Sequence, residues 1–136
     1  MGSIKDLMTS NPKSCEPSTT VVDAAKVMAQ EDVGPVPIVE GGRLVGLVTD
    51  RDLVVRVLAE GKDPSSTTIG EIASADLTTV TPDTDLTEAL ELMSASQVRR
   101  LPVVEDGQLV GIVAQADVAR AADEEQTGEV VQDISR

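Results

Sequence analysis

The chain contains no phenylalanine, tyrosine, tryptophan or histidine, and a single cysteine. Without aromatic rings its core has to be built from Val, Leu, Ile, Ala and a few Met. Stacking bases on rings, the usual means of holding single-stranded nucleic acid, is excluded. The absence of histidine removes the commonest general base and the commonest metal ligand, so neither a catalytic nor a metal site is expected. Cys15 alone cannot close an intrachain disulfide, and a buried apolar role is expected for it rather than a reactive one. Basic residues are scarce, 11 against 24 acidic, giving a net charge of −13. A surface of that charge repels phosphate polymers, so DNA and RNA are not expected partners. No apolar run is long enough to cross a bilayer, and the N-terminus lacks the regions of a signal peptide. A cytoplasmic protein with a solvated acidic surface is the expectation.

What the chain does have is itself twice. Shifted so that Ile4 falls on Ile69, the stretch up to Arg56 matches the stretch up to Ala121 without a gap. Pro17 falls on Pro82, Met28 on Met93, Pro37 on Pro102, and Leu44-Val45-Gly46 on Leu109-Val110-Gly111. Such a self-match means one supersecondary unit used twice. A unit of this size rarely buries its apolar face alone, so two copies packed with pseudo-twofold symmetry into one compact module are expected, with a site between them.

Each copy opens with a short helical turn, Ile4 to Met8 and Ile69 to Ala73, followed by an extended segment, Lys13 to Glu16 and Thr78 to Thr81, stopped by Pro17 and Pro82. Thr20-Val21-Val22-Asp23 and Asp85-Leu86-Thr87-Glu88 have capping-box spacing and predict helix starts. Behind them Val21, Ala24, Ala25 and Met28, and in the second copy Leu86, Ala89, Leu90 and Met93, form helical stripes. Two apolar runs follow, Val36 to Val39 and Leu44 to Val48, then Leu101 to Val104 and Leu109 to Val113. Asp106-Gly107 signals a hairpin turn, and the near-continuous Val, Ile and Leu predict strands covered on both faces. A last helix starts near Asp50 and Gln115. The fold class is α/β (α+β), two βαββα units: residues 1–62, a linker over 63–68, residues 69–122, and an acidic tail over 123–136 in which Val130, Val131 and Ile134 share one helical face.

The most specific local motif is Gly46-Leu47-Val48-Thr49-Asp50-Arg51-Asp52-Leu53, where a strand hands over to a helix. One reading is a capping box, Thr49 at the N-cap and Asp52 at N3. The other is a nucleotide site, with the helix N-terminus and Thr49 serving phosphate and Asp52 accepting hydrogen bonds from ribose hydroxyls. The second copy keeps the carboxylate, Asp117, and replaces the threonine with Ala114, a poor N-cap. That fits a ribose role somewhat better than a purely local device, although the helix dipole also favours a carboxylate there. Positive charge is placed unevenly: Arg99-Arg100 precede Leu101-Pro102, where the first copy has Gly34-Pro35. The pair reads either as a solvated strand end or as a clamp for an anionic ligand.

Two tandem copies bearing a strand-Gly-hydrophobic-x-Thr-x-x-Asp-helix signature resemble a pair of cystathionine-beta-synthase (CBS) domains, the Bateman module. The likeness covers Ile4 to about Ala122. It is greatest for stand-alone two-domain members, through Gly61-Lys62-Asp63-Pro64 and Gln97-Val98-Arg99-Arg100-Leu101-Pro102. The resemblance implies binding of an adenosyl ligand such as AMP, ADP, ATP or S-adenosylmethionine, with no required cofactor and no catalysis. It implies one cleft with Asp52 on the ribose, Thr49, Arg99 and Arg100 on phosphate, and Leu77, Thr78 and Val98 around the adenine. It implies a second, weaker cleft joining Asp117 to Pro12, Lys13, Val33, Gly34 and Pro35. It also implies a homodimer.

The leading expectation is therefore a homodimeric adenine-nucleotide sensor with one good cleft per chain, acting through dimer rearrangement or an unlinked, unidentified protein partner. The alternative is a ligand-free interaction module whose Thr-x-x-Asp motif is only a helix cap. An enzyme is disfavoured, since no catalytic constellation is present.

Overall fold

The computed structural model describes residues 3–75 and 77–124; Val130, Val131 and Ile134 lie outside the described residues. Helices and antiparallel strands are mixed. In chain order they are α1 (Ile4–Leu7), β1 (Thr9–Ser10), α2 (Val21–Glu31), β2 (Pro35–Glu40), β3 (Arg43–Thr49) and α3 (Asp50–Leu53), which continues as a π-helical turn over Val54–Leu58. Then come α4 (Ile69–Ile72), α5 (Leu86–Ser96), β4 (Arg100–Glu105), β5 (Gln108–Ala114) and α6 over 115–124.

The chain forms two compact units. The first-copy unit comprises Pro12–Leu77 with Gly107–Leu109; the second-copy unit comprises Thr78–Asp106 and the chain from Val110, together with the segment up to Asn11. Each unit thus takes in the opening turn of the other copy. In the first-copy unit Ile69 and Ile72 of α4 join the core around Val36, Ile38 and Val48. Their backbone is tied there, Ile69 N donating to Thr19 O at 2.8 Å and Gly70 N to Pro17 O at 3.0 Å. In the second-copy unit Ile4 of α1 joins the core around Leu101, Val103 and Val113. Lys5 N donates to Pro82 O at 3.2 Å, and β1 pairs antiparallel with β5, Thr9 opposite Ile112 and Ser10 opposite Gly111.

The extended segments are single parallel bridges, Cys15 to Ile38 and Val80 to Val103. Each is held by two backbone bonds, Cys15 N to Pro37 O and Val39 N to Cys15 O, then Val80 N to Pro102 O and Val104 N to Val80 O. A helix separates each bridged pair in sequence, as a parallel crossover requires. The hairpins turn through Gly41-Gly42, with φ of 61° and 83°, and Asp106-Gly107, with φ of 54° and 81°. Two successive left-handed residues match the twist of the flanking strands.

The strands differ from the expectation of full coverage. β2 and β4 have three consecutive buried residues at their centres, but β3 and β5 alternate: Gly46 and Val48 are buried while Val45 is 42% exposed. In the stripes, Val21, Ala24 and Met28 and their counterparts Leu86, Ala89 and Met93 are buried, but Ala25 lies exposed. Both helices begin where expected with different caps: Thr20 Oγ1 accepts from Asp23 N at 3.2 Å, whereas Asp85 takes the N-cap position without a side-chain cap bond. They end alike, on Asp32 and Gln97 in the left-handed conformation. The stretch 60–68 is bonded to the start of α2, with Val21 N on Thr67 O at 2.9 Å and Val22 N on Pro64 O at 3.1 Å.

Candidate functional site

Both strand-to-helix junctions are fixed by the same backbone bond. Asp50 N donates to Gly34 O at 3.1 Å in the first-copy unit, and Gln115 N donates to Arg99 O at 2.7 Å in the second. Each bond ties the residue just before a central strand to the first turn of the following helix, so whatever side chains stand at those places face one helix N-terminus.

In the first-copy unit the capping box is complete. Thr49 N donates to Asp52 Oδ2 at 2.8 Å and Asp52 N donates to Thr49 Oγ1 at 3.2 Å. Asp52 Oδ1 faces Arg56 Nε at 3.8 Å, beyond hydrogen-bond range, and Arg56 Nη1 donates to Ile72 O at 2.9 Å, the C-terminal turn of α4. Gly34 lies close to Asp50: a Cβ built on it would stand 3.1 Å from Asp50 Oδ1. The junction is therefore acidic and crowded.

The second-copy junction is the reverse. Ala114 brings no hydroxyl, and Asp117 pairs instead with Arg120, Oδ1 to Nη1 3.7 Å. Its side chain is 47% exposed against 20% for Asp52. Arg99 and Arg100, both exposed, line a hollow of about 390 Å³ with Ala114, Gln115, Ala116 and Ala119. Two guanidiniums beside a helix start, with small neutral residues around them, make a site suited to an anion. Gln115, Ala116 and Ala119 are not among the candidate ligand-binding residues of the sequence. For Gln115 the signal was its standing in the repeat where the first copy has Asp50, which removes a carboxylate from beside the arginines.

The remaining candidates are placed as follows. Thr49, Asp52 and Leu77 belong to the first-copy unit, with Pro12, Lys13, Val33, Gly34 and Pro35; Thr78, Val98, Arg99, Arg100 and Asp117 belong to the second. Each expected cleft set is divided between the two units. Thr78 Oγ1 and Ser96 Oγ share a hydrogen bond of 2.9 Å, and Val98 packs on the second core. Cys15 is buried, and burial pushes its thiol pKa up, against smaller opposing effects of the Lys13 charge and a hydrogen bond with Thr19. A thiol so placed is a poor nucleophile. Among the described residues no helix is long and apolar enough to cross a membrane, and no three His, Cys, Asp or Glu side chains are grouped as a metal site.

Comparison with known proteins gives the same pattern twice over. The CBS domain matches residues 4–59 and again 69–124. The chain is 43% identical over 119 residues to the CBS domain-containing protein YhcV of Bacillus subtilis, covering 88% of this chain and 84% of that protein. It is 39% identical over 121 residues to hypoxic response protein 1 of Mycobacterium tuberculosis, covering 88% and 85%. A crystal structure of hypoxic response protein I with two coordinated zinc ions superposes with a TM-score of 0.81 at 38% identity, over 89% of this chain and 99% of that one. Two ligand complexes are also similar. CBSX2 with AMP has a TM-score of 0.78 at 29% identity, over 93% and 99% of the two chains. The CBS domain pair of MJ0100 with 5′-methylthioadenosine and S-adenosylmethionine has a TM-score of 0.79 at 28% identity, over 92% and 98%.

Proposed function

The chain belongs to the CBS-domain family as a tandem pair, and from that premise we propose that it is a regulatory module for an adenine nucleotide or another adenosyl ligand. It acts without catalysis, in the cytoplasm, through a homodimer or an unlinked protein partner. The observation that carries this reading is the pair Arg99 and Arg100 lining an open hollow beside a helix start in a chain of net charge −13. Clustered guanidiniums in so acidic a protein raise the local concentration of a small anion that the rest of the surface repels. The ligand class is supported by AMP in CBSX2 and by 5′-methylthioadenosine and S-adenosylmethionine in MJ0100.

In this reading Arg99 and Arg100 take the phosphates, Asp52 takes the ribose, and Leu77, Thr78 and Val98 surround the adenine. Asp52 has the capacity for it. Its Oδ2 is occupied by the Thr49 N–H, but Oδ1 has only a distant guanidinium and accepts a hydroxyl donor. The weaker cleft, with Asp117, Pro12, Lys13, Val33, Gly34 and Pro35, has Ala114 in place of the threonine and is not assigned the arginines in this reading, although their hollow borders the helix start that carries Asp117. The dimer is supported by an apolar face on the first-copy unit, where Val22, Ala25, Ala29, Leu58 and Pro64 line a hollow of about 410 Å³ and Leu58 is 63% exposed.

One observation favours the alternative of a ligand-free interaction module: the Thr49-Asp52 box is already satisfied by its own backbone. A melting experiment separates the two. A ligand that binds only the folded state raises its stability by about 2.7 kcal/mol at a hundredfold excess over Kd. Far-ultraviolet circular dichroism is the readout, as the chain has no aromatic residues. A shift with AMP, ADP, ATP or S-adenosylmethionine supports the sensor. An unmoved transition with all four at millimolar concentration supports the interaction module.

A further inference from the structure

Met8 and Ala73 hold equivalent places, each the residue that ends a one-turn helix, with nearly the same backbone, φ −72° and ψ 151° against φ −71° and ψ 153°. In the second-copy unit the Met8 side chain lies over Gly111. A Cβ built on that glycine would stand 2.5 Å from Met8 Sδ and 2.9 Å from Cγ, so the thioether occupies the space that Gly111 leaves open. In the first-copy unit the corresponding space over Gly46 is approached less closely: from a Cβ built there Ser74 O would stand at 3.4 Å, the Ala73 methyl at 3.5 Å and Ile38 Cδ1 at 3.6 Å, and no long side chain enters it. The unfilled remainder is a hollow of about 210 Å³ lined by Pro17, Ile38, Val45, Gly46 and Ala73, with Glu40 and Ser74 among its polar members. The rims differ accordingly: Val110 packs on the second core, as Met8 does, whereas Val45 is 42% exposed.

From this internal comparison we infer that the Gly46 hollow is a binding site for an unbranched apolar chain of the kind a methionine side chain represents. The second-copy unit shows what the geometry accepts. Over Gly111 the Met8 sulfur and Cγ lie in the space a Cβ would take, and an unbranched thioether adapts to such a gap better than a branched group. At the edge of the hollow the backbone groups of Leu47 and Ser74 satisfy each other, Leu47 N donating to Ser74 O at 3.1 Å and Ser74 N to Leu47 O at 3.2 Å. An apolar occupant therefore displaces water without stranding those groups.

The test is a titration of the full chain, methyl-labelled, with methyl propyl sulfide and separately with a short capped peptide containing one methionine, followed by NMR. The expected result is a saturable shift of the Ile38 and Val45 methyl resonances that is lost in Ala73→Met, whose own side chain fills the slot and raises the melting temperature. Tighter binding of the peptide assigns the site to a partner's side chain; tighter binding of the free thioether assigns it to a small molecule. No saturable shift with either probe, an undiminished shift in Ala73→Met, or an Ala73→Met chain less stable than the parent overturns the inference.

Discussion

The Gln115 N–H donates to the carbonyl of Arg99 at 2.7 Å, the same bond that Asp50 makes to Gly34 at 3.1 Å in the other copy. One backbone device serves two junctions of opposite charge. The acidic junction places Asp50 beside a glycine; the basic one places two arginines beside a glutamine. The repeat conserves the scaffold while the side chains on it set what each copy can hold.

The caps give the first prediction. Thr49→Ala removes an N-cap hydroxyl and should cost about 0.5–2 kcal/mol, whereas Ala114→Thr supplies one three residues before Asp117 and should stabilise by a comparable fraction. In a chain of this size each kcal/mol moves the melting temperature by roughly 3–5 °C. The two variants should move it in opposite directions.

The two strand glycines should respond unequally to alanine. At Gly111 a Cβ would meet Met8 Sδ at 2.5 Å, Met8 Cγ at 2.9 Å and Thr9 O at 3.0 Å; at Gly46 its nearest neighbour would be Ser74 O at 3.4 Å. Gly111→Ala forces Met8 out of its place and should lower stability by about 1–3 kcal/mol, while Gly46→Ala should change it by less than about 1 kcal/mol. Denaturant midpoints of the two variants measure the contrast.

Glu71 gives a pH dependence. Hydrogen bonds from the Thr68 backbone N–H and hydroxyl, at 2.7 and 3.2 Å, hold its carboxyl below the usual value of 4.5. A folded pKa below the unfolded one means the contribution is complete above about pH 4.5 and is lost as pH falls through the depressed value. Glu71→Gln should therefore show a smaller fall in melting temperature over that acid range than the parent chain, with little difference between them in slope at neutral pH.

The proposed dimer makes a further claim. Leu58, 63% exposed, stands where the second copy carries Asp123, so Leu58→Asp introduces at the apolar face a residue already used at the equivalent place. Sedimentation velocity should then show monomers at micromolar concentration where the parent sediments as a dimer, with the circular dichroism spectrum unchanged.

Much of this was legible in the sequence, for identifiable reasons. The second-copy hairpin announced itself through Asp106-Gly107, since few residues accept a left-handed backbone. The helix stripes followed from spacing, and the family from the doubled Gly-to-Asp signature. The exchange of α1 and α4 between units was not legible, because a self-match records equivalence and is silent on which copy a segment packs against. The π-helical turn at Val54–Leu58 has no composition signal of its own. Two further helix starts, at Ser3 with Asp6 and at Thr68 with Glu71, carry the spacing of a cap but open helices of only one turn. The charge contrast of Arg99-Arg100 with Gly34-Pro35 was visible in the repeat. The small residues that complete the hollow, Ala116 and Ala119, have no chemistry to mark them until the helix places them beside the arginines.

The central claim is a single charged adenosyl site per chain, and equilibrium dialysis with labelled AMP, ADP, ATP or S-adenosylmethionine counts it directly. The account predicts one equivalent bound per chain by at least one of these ligands, abolished by Arg99→Ala and unchanged by Asp117→Ala. Two equivalents per chain, equal loss in both variants, or no binding of any of the four at millimolar concentration would contradict it.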